Sequence, residues 1–439
     1  GMEFSSTGLY FQWGGEPQTI SYTTTNVTSV AVKSITSGWK CDINQTAKTI
    51  TVTPPAEPQS DSERDKMREC KIMFTVTSTK SEVTTYAIDC YIIGDKVIVL
   101  NDGGKYANSY VLTQPMAAYL LDVSHNGAGE AISAVSDVEI LWQSERSLLD
   151  HLVYDEDKKS VSFYVDALTE EDDEDVYIKE NGEYVMRNGN ALIAAVNAKG
   201  EVLWSWHLWV TDYCPDGAPA NTSKTTLYYS GENVVDYQGY MFKSNLSSST
   251  YTKSFIGNVQ HYWHYGSTTF LNSKSEAIWT NGIYKNKWIM DRSIGAQSAH
   301  NGLTEDPIEG FGLYYQYGRK DPFPYHGADH SKQETGYQYS IYEIDGTTTV
   351  APWVHTAGKV PMNVGVMNPM LFFSYGATTG ASWTEDTNTR PWYSPDTETA
   401  VTATNGKKTL FDPCPPGWCI PKYDTFDFMC ANNGVYVST

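Results

Sequence analysis

The chain has 439 residues, with 31 Lys and Arg against 52 Asp and Glu, for a formal net charge of −21. That balance argues against a protein that binds nucleic acid by neutralising phosphates, which takes a concentrated basic surface. At 40% hydrophobic and 13% aromatic residues it is no disordered polyanion, and no apolar run approaches the roughly 18 residues of a membrane span.

The aromatic content is unusual: 13 Trp and 31 Tyr against 14 Phe. Tyr, Trp and Thr favour half-buried pleated surfaces, so the chain reads as mainly β. Gly1-Met2 reads as a tag-cleavage scar. Residues 1–93 read as a small immunoglobulin-like sandwich. Its strands fall at Thr19–Tyr22, Val30–Lys33, Thr49–Val52, Ile72–Thr77 and Tyr86–Ile93, with 54–68 as a polar surface loop.

Residues 94–214 form a second β-sandwich module with clear turn chemistry. Asn181-Gly182 marks a hairpin, Asn197-Ala198-Lys199-Gly200 joins Ala191–Val196 to Val202–Val210, and Leu152–Tyr154 pairs with Val161–Val165. The acidic run from Glu170 to Asp175 reads as a solvated loop in preference to a calcium site. In Trp204-Ser205-Trp206-His207-Leu208-Trp209 both faces carry tryptophan, which implies a strand buried on both sides or at a domain junction. His207 reads as a satisfied core histidine.

From residue 215 to 439 the periodicity fades into short strands and long loops, yet this region holds seven of the 13 tryptophans. It reads as a loop-rich α+β domain shaped by aromatic packing, and such loops are where binding function concentrates. The seven cysteines (Cys41, Cys70, Cys90, Cys214, Cys414, Cys419 and Cys430) are an odd number without Cys-x-x-Cys spacing, and most read as buried thiols.

Three C-terminal segments carry a family resemblance. They are Trp288-Ile289-Met290-Asp291-Arg292-Ser293-Ile294-Gly295-Ala296, then Gly312-Leu313-Tyr314-Tyr315-Gln316-Tyr317-Gly318-Arg319-Lys320-Asp321-Pro322-Phe323, then Phe411-Asp412-Pro413-Cys414-Pro415-Pro416-Gly417-Trp418-Cys419-Ile420-Pro421. In order and spacing the region resembles the Fibrobacter succinogenes major paralogous domain of exported Bacteroidetes proteins. The resemblance implies a C-type-lectin-like fold, with Trp288, Asp291, Arg292, Asp321, Cys414 and Trp418 as family-motif positions. Ser293 stands where Asn is usual and Cys419 where Arg is usual, and the 20 residues after Cys419 are fewer than the family's glycine-rich tail. The N-terminal stretch, with Gln18–Tyr22 and Ser37–Lys40, looks like the immunoglobulin-like modules that precede such domains. The implied setting is an exported cell-surface or outer-membrane lipoprotein, or a fimbria-associated adhesin.

Catalytic signatures are few. There is no His-Glu-x-x-His and no Gly-x-Ser-x-Gly, and Gly406-Lys407-Lys408-Thr409 lacks the upstream glycine of a phosphate loop. Asp291 and Asp321 would suit glycosidase chemistry only at a defined separation. His326 and His330 have metal-pair spacing, but Gly327 and the nearby prolines weaken the helix such a pair needs. Neither a metal nor a cofactor is expected. Sugar recognition wants aromatic faces beside planar polar groups, which Trp263, Tyr265, Tyr314, Tyr315, Gln316, Arg319, Trp392 and Tyr393 offer. The expectation is therefore a non-enzymatic adhesin with β modules as stalk, its partner a glycan or a host or bacterial surface protein. A fimbrial subunit joined to other subunits by strand addition is the alternative, and a carbohydrate-active enzyme ranks last.

Overall fold

The computed structural model describes residues 1–93, 97–171, 173–212, 293–297, 312–323, 359–373, 383–385, 392, 408–418 and 420, together with three short strands between 239 and 290. It is mainly β. The first unit contains β1 (Met2–Phe4), β2 (Gly8–Phe11), β3 (Gln18–Thr24), β4 (Val27–Ser34), β5 (Lys40–Asn44), β6 (Thr49–Thr53), β7 (Glu69–Ser78) and β8 (Val83–Ile92). Two four-stranded sheets, ordered β1-β3-β6-β5 and β2-β8-β7-β4, form a sandwich. Along β7, alternate residues Cys70, Ile72, Phe74 and Val76 are buried against Ile20, Ile50, Val52 and Ile88, as the period-2 pattern requires.

The stretch expected as plain loop contains a helix, α1 (Asp61–Met67). Ser60 is its N-cap: the Glu63 backbone N–H donates to Ser60 Oγ at 3.3 Å, and Ser60 Oγ donates to Glu63 Oε2 at 2.9 Å. Seven residues leave too little periodicity to expose a helix in the sequence. Trp39, buried under this segment, anchors it by donating from Nε1 to Met67 O at 2.8 Å.

The second unit contains β9 (Ile98–Val99), β10 (Ser109–Leu112), β11 (Ala117–Asp122), β12 (Asp137–Gln143), β13 (Asp150–Asp155), β14 (Ser160–Val165), β15 (Thr169–Glu170), β16 (Asp173–Tyr177), β17 (Lys179–Glu180), β18 (Glu183–Tyr184), β19 (Gly189–Val196) and β20 (Val202–Val210). Its two main sheets run β10-β20-β19-β12 and β13-β14-β11-β9. Tyr119, Leu121, Phe163 and Val165 of one sheet meet Ile193, Trp204, Trp206 and Leu208 of the other in a single core. Asn181 and Gly182, at φ 52° and 84°, make the two-residue turn between β17 and β18. The acidic run is not a loop throughout: β15 pairs with β16 within it.

Further along lie β21 (Gly239–Met241), β22 (Tyr262–Tyr265), β23 (Lys287–Met290), β24 (Tyr314–Tyr315), β25 (Pro322–Phe323) and α2 (Met362–Met367). The described C-terminal segments do not stand apart. Leu313 packs with Trp142 and Leu192, and Val366, Leu410 and Phe411 lie against the second unit's core. Residues 293–297 and 312–323 lie on the outer face of the β10-β20-β19-β12 sheet, through Leu313 on Leu192, Gly295 on Asn190 and Asp321 on Ser205, and β20 is buried on both sides: Ser205, His207 and Trp209 are 0% exposed.

Candidate functional site

The buried outer face of β20 is polar, and both Ser205 and His207 on it are met by named partners. His207 Nε2 lies 2.9 Å from Asn190 Oδ1, and Nδ1 lies 2.9 Å from Ser109 Oγ. Asn190 Nδ2 donates to Gly295 O at 2.9 Å, which leaves Oδ1 as the atom turned to His207. Nε2 therefore carries the proton, and Ser109 donates to Nδ1. Burial pushes the imidazole down to about 3, so the ring is neutral. Gly295 is required here: a Cβ would sit 2.6 Å from Leu313 Cγ and 3.0 Å from Asn190 Oδ1, and φ is +84°.

One turn of the sheet away, Ser205 Oγ donates to Asp321 Oδ1 at 2.6 Å. Lys320 Nζ donates to the same carboxylate oxygen at 2.6 Å and to Ser205 O at 3.0 Å, and sits 4.5 Å from the centre of the Trp204 ring. Lys320 is 2% exposed, and burial is the main influence lowering its pKa. An ion pair this deep persists only with its remaining hydrogen bonds satisfied, which Ser205 does. Asp321 is thus held inside the protein through its Oδ1. The glycosidase pairing weighed from the sequence has one member pinned there, and Asp291 lies outside the described residues.

The neighbouring turn is built around Arg319, 2% exposed. Its Nη2 donates to Gly365 O at 3.0 Å and Asn368 O at 2.8 Å, and Nη1 to Leu371 O and to Gln316 Oε1 at 3.4 Å. The guanidinium lies 5.1 to 5.8 Å from the ring centres of Phe323, Phe373 and Trp383. Gln316 clamps the far side, donating from Nε2 to Phe373 O at 2.5 Å and accepting from Phe373 N at 3.3 Å. The Arg319 backbone N–H closes on Gln316 O at 2.9 Å with Gly318 at φ +84°, the pattern of a type II turn.

The residue at the tip of that turn is Tyr317, 53% exposed. Its carbonyl accepts from Trp383 Nε1 at 2.8 Å, while Trp392 Nε1 donates to Arg319 O at 3.1 Å and holds its ring edge-on to Tyr317 at 5.1 Å between centres. Tyr314, on the same segment, is 40% exposed. Tyr317 and Trp392 therefore form an aromatic pair on a rigid support, the arrangement in which ring area is offered at little entropic cost.

The residues nominated from the sequence divide accordingly. Tyr314 and Trp392 lie at this surface. Tyr315, Gln316 and Arg319 are not presented with it: Tyr315 is half-buried against Trp142, Leu192 and Leu313, and the other two are turned to internal hydrogen bonds. Trp263 and Tyr265 lie in β22 and Trp288 in β23, two strands paired antiparallel. Arg292 and Tyr393 lie outside the described residues, as do His326 and His330. Cys414 and Trp418 belong to a tight loop organised by Asp412, which is 0% exposed and accepts from Cys414 N at 2.8 Å and Ile420 N at 3.1 Å. Tyr317 escaped nomination because it stands beside two like residues, Tyr314 and Tyr315, and only Gly318 hinted at the turn that lifts it outward. Lys408 also escaped. It donates to Asp412 Oδ1 at 3.2 Å, Trp418 O at 3.0 Å and the Cys414 carbonyl, and so ties the third motif together.

Among the described residues no group of three or more His, Cys, Asp or Glu is placed to hold a metal ion, and no helix is long and apolar enough to cross a membrane. The architecture defined so far is a mainly β protein of sandwich units with an aromatic turn braced on the second. No family model matches the sequence, and no curated protein matches it. Among solved structures, the chain is similar to the human Desmocollin-1 ectodomain at 10% identity and TM-score 0.16, over 47% of this chain and 39% of that one. It is similar to the Protocadherin GammaB4 extracellular domain at 10% identity and TM-score 0.15, over 47% and 34%. A third is the Bacteroides ovatus mixed-linkage glucan utilization locus SGBP-B in complex with a mixed-linkage heptasaccharide, at 10% identity and TM-score 0.12, over 47% and 42%. The chain spans less than half the length of each, and likenesses at these scores carry no argument about ligand or mechanism.

Proposed function

We propose that this chain is an exported, adhesin-like surface protein whose C-terminal region presents Tyr317 and Trp392 to a glycan, with the β units as its stalk and brace. The observation that carries the reading is an exposed tyrosine at the tip of a turn whose other residues are locked from beneath by buried Arg319 and Gln316. Aromatic faces pack against the C–H surface of a pyranose, and a preorganised pair avoids the ordering cost of assembling on binding. The three resemblance motifs support the same reading as a lectin-like unit. Their described polar residues, Arg319, Asp321 and Asp412, all serve the scaffold, which leaves contact to the aromatic rings.

A glycan-array screen of the purified chain, with calcium and again with a chelator, tests the proposal. Binding to a defined glycan set that weakens roughly three- to tenfold in each of Tyr317→Ala and Trp392→Ala, with unchanged circular dichroism, is the expected result; each lost ring contact is worth about 0.5–1.5 kcal/mol. A blank array, or binding indifferent to both substitutions, overturns it and moves weight to a protein partner.

A further inference from the structure

The two sandwich units meet through a compact set of side chains. The Tyr91 ring of β8 stacks on Tyr164 of β14 at 4.3 Å and on Tyr10 of β2 at 5.8 Å, while its hydroxyl donates to Asp150 Oδ2 at 3.0 Å. His151 rests over Gly8, where a Cβ would fall 1.4 Å from its Nε2. Arg68 Nε donates to Tyr184 Oη at 2.8 Å, and Tyr184 and Lys179 both reach Asp65. Beside these lies a cleft of about 1330 Å³, into which Glu69 of the first unit and Asp166 of the second both face. The Tyr177 hydroxyl spans the two carboxyls, 3.1 Å from Glu69 Oε1 and 3.3 Å from Asp166 Oδ2.

We propose that this contact is a pH-sensitive latch: one proton held between Glu69 and Asp166 keeps the two β units together, and its loss to solvent on the alkaline side parts them. A single tyrosine proton cannot neutralise two carboxylates brought this close across an interface, so with both ionised the units carry facing like charges in a partly dry contact. The charges bearing most on Glu69 are those of Asp166 and Asp150, both negative. The cleft walls add Asp65, Glu145 and Glu171 against Lys66, Arg146 and Arg187. Lys179 is engaged by Asp65, Lys71 by Asp89, and Arg68 by Tyr184 and the ring of Trp13. His151 is held down by burial and stays neutral above about pH 6.5.

The direction of the effect follows from linkage. Burial first, and then the Asp166 charge, raise Glu69 well above the ordinary carboxylate range, and burial raises Asp166 too. When the units part, both groups return towards their ordinary values. The closed form thus holds its proton more tightly than the open form. Its advantage is complete below the open-state value and is lost as pH rises through the closed-state value.

Hydrogen exchange on the full chain between pH 6.5 and 9.5, corrected for intrinsic rates, tests the latch. Backbone amides of 86–92 and 161–168 should lose protection relative to 191–196 as pH rises, approaching roughly tenfold per pH unit for one linked proton. In Glu69→Gln, which keeps the size and a hydrogen-bond donor but has no proton to lose, that slope should vanish. Tyr177→Phe removes a donor to the anionic pair and should move the loss to higher pH. Should Glu69→Gln fail to fold, the shift in Tyr177→Phe decides alone. A flat wild-type profile, an unchanged slope in Glu69→Gln or an unshifted one in Tyr177→Phe overturns the proposal.

Discussion

His207 and Asn190 face each other from adjacent strands, ring Nε2 to amide Oδ1 at 2.9 Å, on a sheet face from which water is excluded. The ring is neutral because its second nitrogen accepts from Ser109 and burial opposes the charge. A histidine held down to about 3 when folded and near 6.5 when unfolded stabilises the fold above the unfolded value and loses that contribution as pH falls towards 3. The full loss is on the order of 5 kcal/mol, of which about 3 kcal/mol is reached by pH 4. Urea titrations at pH 7, 5 and 4 should show it, and His207→Gln should flatten the profile over that range while being less stable at pH 7.

Arg319 supplies planar, forked donors to carbonyls on α2 and the segment after it, which a lysine point charge does not reproduce. Arg319→Lys should lower stability by about 2–4 kcal/mol through carbonyls left without donors. Because the sandwich cores do not contain Arg319, the far-ultraviolet spectrum should stay β-like while Tyr317 loses its fixed position. A thermal melt, with near-ultraviolet dichroism to follow the aromatic signal, checks both halves.

Cys70 and Cys90 lie directly opposite on β7 and β8 and are free thiols, with Cys41 near them. Burial raises all three, Cys41 to about 11. Thiolate is the reactive form, so native protein at pH 8 should leave these three unmodified by a thiol reagent over an hour, while denatured protein reacts at once. Peptide mapping after alkylation with and without denaturant reads the difference.

Much of the β framework was legible in advance because alternation and turn chemistry are local. The 181–182 and 197–200 turns stand where asparagine and glycine placed them, and the tryptophans of β20 announced a strand covered on both sides. What covers it was not legible, since it depends on contacts spanning more than a hundred residues: Ser205 with Asp321, Asn190 with Gly295. The α1 helix hid behind its shortness, although Ser60 and Glu63 spell its cap. At the candidate site the composition was readable and the direction of each side chain was not. Tyr314, Tyr315 and Tyr317 are chemically alike, and only the turn at Gly318 and the cage around Arg319 decide which of them meets solvent.

That cover on the outer face of β20 also has a temporal side. The chain is made from its N-terminus, so the second unit is complete through Val210 well before residues 293–323, 359–373 and 408–418 emerge. Until they arrive, Leu192 and His207 on that face lack the cover that residues 293–297 and 312–323 provide in the finished fold. The last third of the sequence therefore acts as a maturation step for the middle third, and a chain truncated before Gly295 would carry a sticky, half-finished sheet.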